Sequence, residues 1–291
     1  MIQLADVSYA YPDSGRFVLE HVDLRIEPGT ITGVVGASGA GKTTLAKILS
    51  GFIPHVDGGQ LSGSVVIGGR DLSGLPLAAC VSQVGLVIQN PFNQISGARY
   101  TVRGELAFGM ENLGTPRDEM ASRVAEVAGL LRITDLLDRS PYELSGGQQQ
   151  LVAIASMLVL RTPVLVMDEP TSQLDPVGTR MVFGVLSRLR GAGTTIVVFE
   201  HKPELLHAHA DRLHVLAGRR IAASGSPGEI LSDPRTDQWG VSATRYTRAA
   251  RLAREQGLVP AEAPLPVSFE QAAAFFGWSA RTRPPSPEDA R

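Results

Sequence analysis

The sequence predicts an α/β fold built around a parallel sheet, and three stretches carry that expectation. Residues 31–35 form a short β-branched run that enters a glycine-rich loop, after which 45–49 read as a helix. Residues 164–167 are apolar at every position, as a strand covered on both faces must be. Residues 194–199 make a third β-branched run. Each run ends on residues able to do chemistry.

The first run leads into Gly36-Ala37-Ser38-Gly39-Ala40-Gly41-Lys42-Thr43-Thr44, which fits G-x-x-x-x-G-K-[ST] in its required setting of strand, loop and helix. Gly36, Gly39 and Gly41, with Ser38 between them, let backbone N–H groups face a phosphate, and the helix dipole adds positive potential. Lys42 is placed to reach the β- and γ-phosphates of a nucleotide; Thr43 is placed to ligate Mg²⁺, and Thr44 closes the motif. Lysine occurs only at 42, 47 and 202, every other strong cation being arginine. A compact ammonium at 42 is what a phosphate site asks for. The bland alternative is an ordinary glycine turn, and the flanking strand and helix argue against it.

Composition bounds the rest. With 291 residues, the chain can form one large domain plus an appendage. Hydrophobic residues at 43% and charged residues at 19% support a sizeable core. A net charge of −2 gives no electrostatic reason to expect a nucleic-acid partner. Cys80 is the single cysteine, so neither a disulfide framework nor a cysteine-ligated metal is expected. The longest apolar run, 151–160, is too short to span a bilayer, and the N-terminus shows no leader pattern. The expectation is a cytoplasmic protein that meets a membrane only through a partner.

In chain order, residues 2–9 alternate as a strand, 11–15 turn, and 18–26 form a second strand closed by Pro28-Gly29. Tyr11 either stacks on adenine or covers the core edge as a turn residue, and the sequence leaves both open. Residues 65–67 and 84–88 read as strands, the second ending at Gln89. The carboxyl end of a buried parallel strand is where such sheets bind ligands, so Gln89 is a candidate to touch Mg²⁺ or the attacking water. From 101 to about 160 the pattern is helical, with Thr115 as an expected N-cap, Pro116 in the first turn, and Val124, Val127, Ala128 and Leu131 at helical spacing. It reads as a helical insertion between halves of the sheet.

Ser145-Gly146-Gly147-Gln148 opens the next helix, and Ser145 with Gln148 makes a capping box. The same bare glycines leave N–H groups open to a phosphate, which is expected to belong to another subunit. Residues 164–167 deliver Asp168, for the Mg²⁺ shell, and Glu169, to orient and deprotonate the attacking water. The turn continues to Asp175, and Pro176 starts a helix that ends near Gly191. The 194–199 run delivers Glu200 and His201, the latter a candidate γ-phosphate sensor. His207, His209 and His214 read as surface residues rather than a metal cluster. Ser226 caps a last short helix of the core.

Beyond 236, residues 244–256 read as a helix, with Tyr246, Ala249, Ala250 and Ala253 on one side and Arg245, Arg248, Arg251 and Arg254 facing solvent or a partner. A second helix is expected from a Ser268/Gln271 capping box, presenting Ala272, Phe275 and Phe276, with Trp278 just beyond. Two helices with so few apolar residues must dock on their own core or on a second subunit. Residues 281–291 read as a disordered tail.

Taken together these motifs resemble the ATP-binding subunits of ABC transporters. In family terms the stretch 36–44 is the Walker A loop, Gln89 the Q-loop, 144–148 the signature, 164–169 the Walker B strand, 172–175 the D-loop and His201 the switch histidine. A narrower resemblance is to ATPase subunits of energy-coupling factor (ECF) importers, which take up vitamins and transition-metal ions. It rests on Gln89-Asn90-Pro91-Phe92-Asn93-Gln94, on 107–114 and on 265–272. The resemblance implies a mixed-sheet P-loop cassette over 1–235, with β and helical subdomains (the latter about 92–160), and a C-terminal helical extension over 236–280 that contacts a second ATPase subunit. It further implies ATP and Mg²⁺ as cofactors, and head-to-tail pairing in which Ser145 and Gly147 serve the nucleotide held by the other subunit's Lys42. An integral membrane coupling protein and a substrate-binding membrane subunit would be partners, on the cytoplasmic face of the membrane. Another ABC importer or an exporter shares every catalytic residue and stays open, as does, more remotely, a soluble ABC ATPase. One departure from the family is Leu151, where a basic residue is usual.

Overall fold

In the computed structural model, residues 1–260 and 262–277 are described. Nine-residue β1 (Ile2–Ala10) pairs antiparallel with β2 (Phe17–Ile26), and β3 (Ile31–Val35) enters the glycine loop. Helix α1 (Lys42–Leu49) and the one-turn α2 (Phe52–His55) precede β4 (Gln60–Ile67) and the short β5 (Arg70–Asp71). Next come α3 (Leu77–Gln83) and β6 (Val84–Val87), followed by the helical segments α4 (Val102–Asn112), α5 (Arg117–Leu130) and α6 (Gly146–Leu158). β7 (Val164–Asp168), α7 (Pro176–Gly191), β8 (Thr195–Phe199) and α8 (Pro203–His209) alternate, and the hairpin β9 (Arg212–Ala217) and β10 (Arg220–Gly225) leads to α9 (Pro227–Ser232). Helices α10 (Arg245–Glu255) and α11 (Phe269–Phe275) end the described chain.

Two sheets result. An antiparallel one runs β2-β1-β4-β5, and a mixed one runs β10-β9-β3-β8-β7-β6, with only β10 antiparallel to its neighbour. β3, β7 and β8 are buried at all five positions, because both faces of the sheet are covered. Strand alternation sorts their side chains into two cores. Leu165, Met167, Ile196 and Val198 face the helical side with Val182, Phe183 and Ile154. Val164, Val166, Val197 and Phe199 face α1 and the antiparallel sheet, with Leu45, Leu49 and Tyr9. Since β9, β3, β8, β7 and β6 run parallel, their carboxyl ends, and the loops after them, share one edge.

Several local expectations change. Thr115 caps nothing: α5 starts after Pro116, whose fixed φ suits the position without a side-chain bond. Ser226 with Glu229 and Ser145 with Gln148 make full capping boxes, but Ser268 only accepts from Gln271 N, because Gln271 Oε1 takes Val267 N instead. His214 is buried on β9, bonded to Ser224 across the hairpin, and is no surface residue. On α10 the buried residues are Thr247, Ala250 and Ala253, while Ala249 is exposed. Three of that helix's arginines bind this same chain, through Arg245–Glu204, Arg251–Asp237 and Arg254–Ala263 O. Trp239, Val241 and Val267 join Val35, Leu213, Val215 and Leu231 in a third core, so the segment after 236 packs on the sheet. Trp278 and 281–291 lie outside the described residues.

Candidate active site

The loop after β3 leaves no room for a side chain at its first and last glycines. A Cβ on Gly36 would sit 2.2 Å from the Leu216 carbonyl oxygen, and one on Gly41, at φ +101°, 2.9 Å from Leu19. Lys42, buried at the start of α1, donates from Nζ to Gly36 O at 3.0 Å and to Ala37 O at 2.8 Å. Burial pulls its ammonium below the usual lysine range, against the opposing pull of Glu169 and Asp168. Next to it, Thr43 Oγ1 donates to Asp168 Oδ2 at 2.6 Å. The Asp168 carboxyl is pushed up by burial, the Thr43 bond countering and Glu169 adding to the rise. Tyr11 is half-buried, its hydroxyl 3.1 Å from Thr44 Oγ1.

Glu169 gathers the loops after β6 and β8. Its Oε2 accepts from Gln89 Nε2 at 2.9 Å, and His201 Nε2 lies 2.9 Å from its Oε1, which places the ring proton on Nε2. Lys42, Thr43, Thr44, Ser38, Gly39, Gly41, Gln89, Glu169 and His201 therefore line one cleft. Asp168 joins it through Thr43. As a set, the oxygens of Thr43 and Asp168, with the amide oxygen of Gln89, suit a hard, oxygen-seeking cation such as Mg²⁺. The histidines at 207, 209 and 214 are in no group of three or more metal-ligating side chains among the described residues.

Ser145, Gly146, Gly147 and Gln148 do not line this cleft. They open α6, where Ser145 N donates to Gln148 Oε1 at 3.0 Å, and the glycines lie under the 172–175 turn: a Cβ on Gly147 would be 3.2 Å from Gln173 O. Asp175 caps α7, accepting from Gly178 N at 2.7 Å. Leu151 packs against the helical-side core. Sequence reasoning gave no separate role to Gln94. Its side chain accepts from Ile88 N at 3.0 Å and donates to Leu86 O and Ala153 O, pinning the segment before Gln89 to α6. A glutamine five residues after another polar loop residue carries no periodic signal, so only the fold reveals it.

The ABC transporter family matches residues 19–172. A relative from Pyrococcus horikoshii, provisionally named an ABC transporter ATP-binding protein, is 40% identical over 234 residues, 80% of this chain and 82% of its own length. A bacterial ABC transporter cassette solved as a dimer superposes with a TM-score of 0.70 at 24% identity, covering 78% of this chain and 99% of that one, a likeness of fold. The structure of cbiO1 from Clostridium perfringens, part of the ABC transporter complex cbiONQ, gives 0.70 at 27% identity, with 87% and 98% covered. No helix among the described residues is long and apolar enough to cross a membrane.

Proposed function

The chain belongs to the ABC transporter family of ATPases, and from that premise we propose that it is the ATPase subunit of an ECF-type importer of a vitamin or transition-metal ion. Convergence of Glu169, Gln89 and His201 on one cleft with Lys42 carries the catalytic half of this reading. Lys42 and the loop N–H groups bind the nucleotide phosphates, and Tyr11 borders the base. Thr43, Asp168 and Gln89 hold Mg²⁺, which when bound spreads the charge of the phosphate oxygens. Glu169 takes the proton of the attacking water, with Gln89 and His201 holding its two oxygens in place. Ser145 through Gln148, with Asp175, serve the nucleotide of a second subunit, because they stand apart from the Lys42 cleft of their own chain. The importer half rests on the stretches at 89–94, 107–114 and 265–272 and on the likeness to cbiO1. On this reading the partners are a second ATPase subunit, a membrane coupling protein and a membrane substrate-binding protein, met at the cytoplasmic face.

Glu169→Gln keeps the shape and removes the base. Turnover should fall by roughly 10²–10⁴ while ATP binding survives. Turnover within a fewfold of the unsubstituted protein would remove Glu169 from this role. For the importer half, the full chain placed in vesicles with its membrane partners should drive uptake of one vitamin or metal ion that stops with Glu169→Gln; ATP-driven efflux instead would make it an exporter subunit.

A further inference from the structure

Beneath the Glu169–His201 contact lies a second, buried connection between the same two loops. Glu200 directly follows β8 and is 3% exposed. Its Oε1 accepts the Thr171 hydroxyl, two residues beyond Glu169. Its Oε2 accepts the backbone N–H of His201 at 2.8 Å and that of Lys202 at 3.3 Å. Lys202 completes the ring by donating from Nζ to Thr171 O at 3.0 Å and to Thr171 Oγ1 at 2.9 Å. Thr171 is fully buried. One carboxylate therefore ties the turn after β7 to the backbone of the histidine that faces Glu169.

A buried carboxylate with this many donors is costly unless every oxygen is satisfied, and here both are. Such a group fixes geometry, because each partner has one place to be. His201 itself is exposed, and its ring meets Glu169 at the mouth of the cleft. Its backbone N–H is held by Glu200, which fixes the main chain from which the ring projects. We propose that Glu200 is a positioning residue for ATP hydrolysis, setting the His201 ring against Glu169 through the Thr171–Glu200–Lys202 ring of bonds. This rests on the reading that Glu169 and His201 act in catalysis.

Glutamine at 200 cannot do the same work. It has one acceptor oxygen, so turning that oxygen to the two backbone N–H groups presents an NH₂ to Thr171 and leaves the Thr171 O–H without its acceptor. In the full-length protein, Glu200→Gln should lower kcat by about 10- to 100-fold, with the ATP dissociation constant within about twofold of the parent. Thr171→Val, which removes the donor on the other loop and keeps the shape, should do likewise. In a His201→Ala background neither change should lower kcat further, because the route through His201 is gone. Unchanged kcat in both variants, equal losses in the His201→Ala background, or loss of ATP binding along with turnover would each overturn the proposal. Should His201→Ala alone leave turnover intact, the catalytic reading of His201 falls instead. The positioning claim is then decided by the His201 imidazole NMR resonances, which must shift in Glu200→Gln and would refute it by staying put.

Discussion

Glu169 has φ +47°, a left-handed backbone that a glutamate adopts at a cost of about 1–2 kcal/mol. The turn persists because its N–H donates to Phe199 O at 2.9 Å and its two oxygens are both engaged. Six other non-glycine residues among those described share a positive φ, and Glu169 is the one of the seven that lines the cleft and joins three loops. His214 shows the opposite case, a titratable group kept from ionising. Burial first, then the charge of Arg212, pulls it from 6.5 down to about 4. A group whose folded value is depressed gives stability that is present above 6.5 and lost as pH falls toward 4, amounting to about 3 kcal/mol. Urea unfolding of His214→Leu should therefore show a fall in stability between pH 7 and pH 4 that is about 3 kcal/mol smaller than in the parent. Equal falls in the two proteins would show that His214 already titrates normally. The role residues Lys42, Asp168, Glu169 and His201 were legible because each closes a conspicuous run. Glu200 carries no such mark beside His201, since its meaning lies in Thr171, twenty-nine positions away.

At the scale of elements, legibility follows burial pattern. β7 and β8, apolar throughout, read directly as strands. β9 and β10 did not, since the first opens on Arg212 and buries a histidine, and the second alternates around Ala and Ser. β4 extends back to Gln60 through polar residues that only its pairing with β1 makes a strand. Helix α6 joins several functions through its own start. Its first turn is bare at Gly146 and Gly147, its cap is Ser145, and Gln94 ties its Ala153 carbonyl to the strand before Gln89. Ser145→Arg places a bulky cation over that helix end while leaving the Lys42 cleft, which Ser145 does not line, untouched. Hydrolysis should be abolished, and the ATP dissociation constant of the isolated subunit should stay within about twofold. A large rise in that constant, measured by titration of the monomer, would place Ser145 in its own chain's site.

Over the whole molecule, the extension after 235 divides into a part the cassette needs and a part it does not. Trp239 and Val241 are buried against β3 and β9, Val267 adds to the same core, and Gly240, at φ +64°, lies so close to the phosphate loop that a Cβ would sit 2.6 Å from Ala37 Cβ. The sequence predicts a boundary at 236 and an extension that docks on its own core or on a second subunit, because two sparse helices show no core of their own. Their core is borrowed from the sheet, which no local pattern reveals. Removing a large buried side chain costs about 3–5 kcal/mol, so deletion of 236–291 should lower the melting temperature sharply and weaken ATP binding by loosening the loop that Gly240 backs. Deletion of 269–291 takes a different toll. Of α11 only Ala272 is buried, whereas Phe269 and the following Phe276 are 51% and 46% exposed, and Leu252 on α10 and Leu258 after it are 58% and 72% exposed. These are the side chains that the contact with a second subunit implied by the family resemblance would cover. The shorter deletion should leave melting and ATP affinity close to those of the full chain. Association between ATPase subunits without nucleotide should weaken by about tenfold or more, roughly 1.4 kcal/mol. Sedimentation of both proteins over a concentration series decides the matter: equal dimer affinities would mean that α11 has no part in pairing.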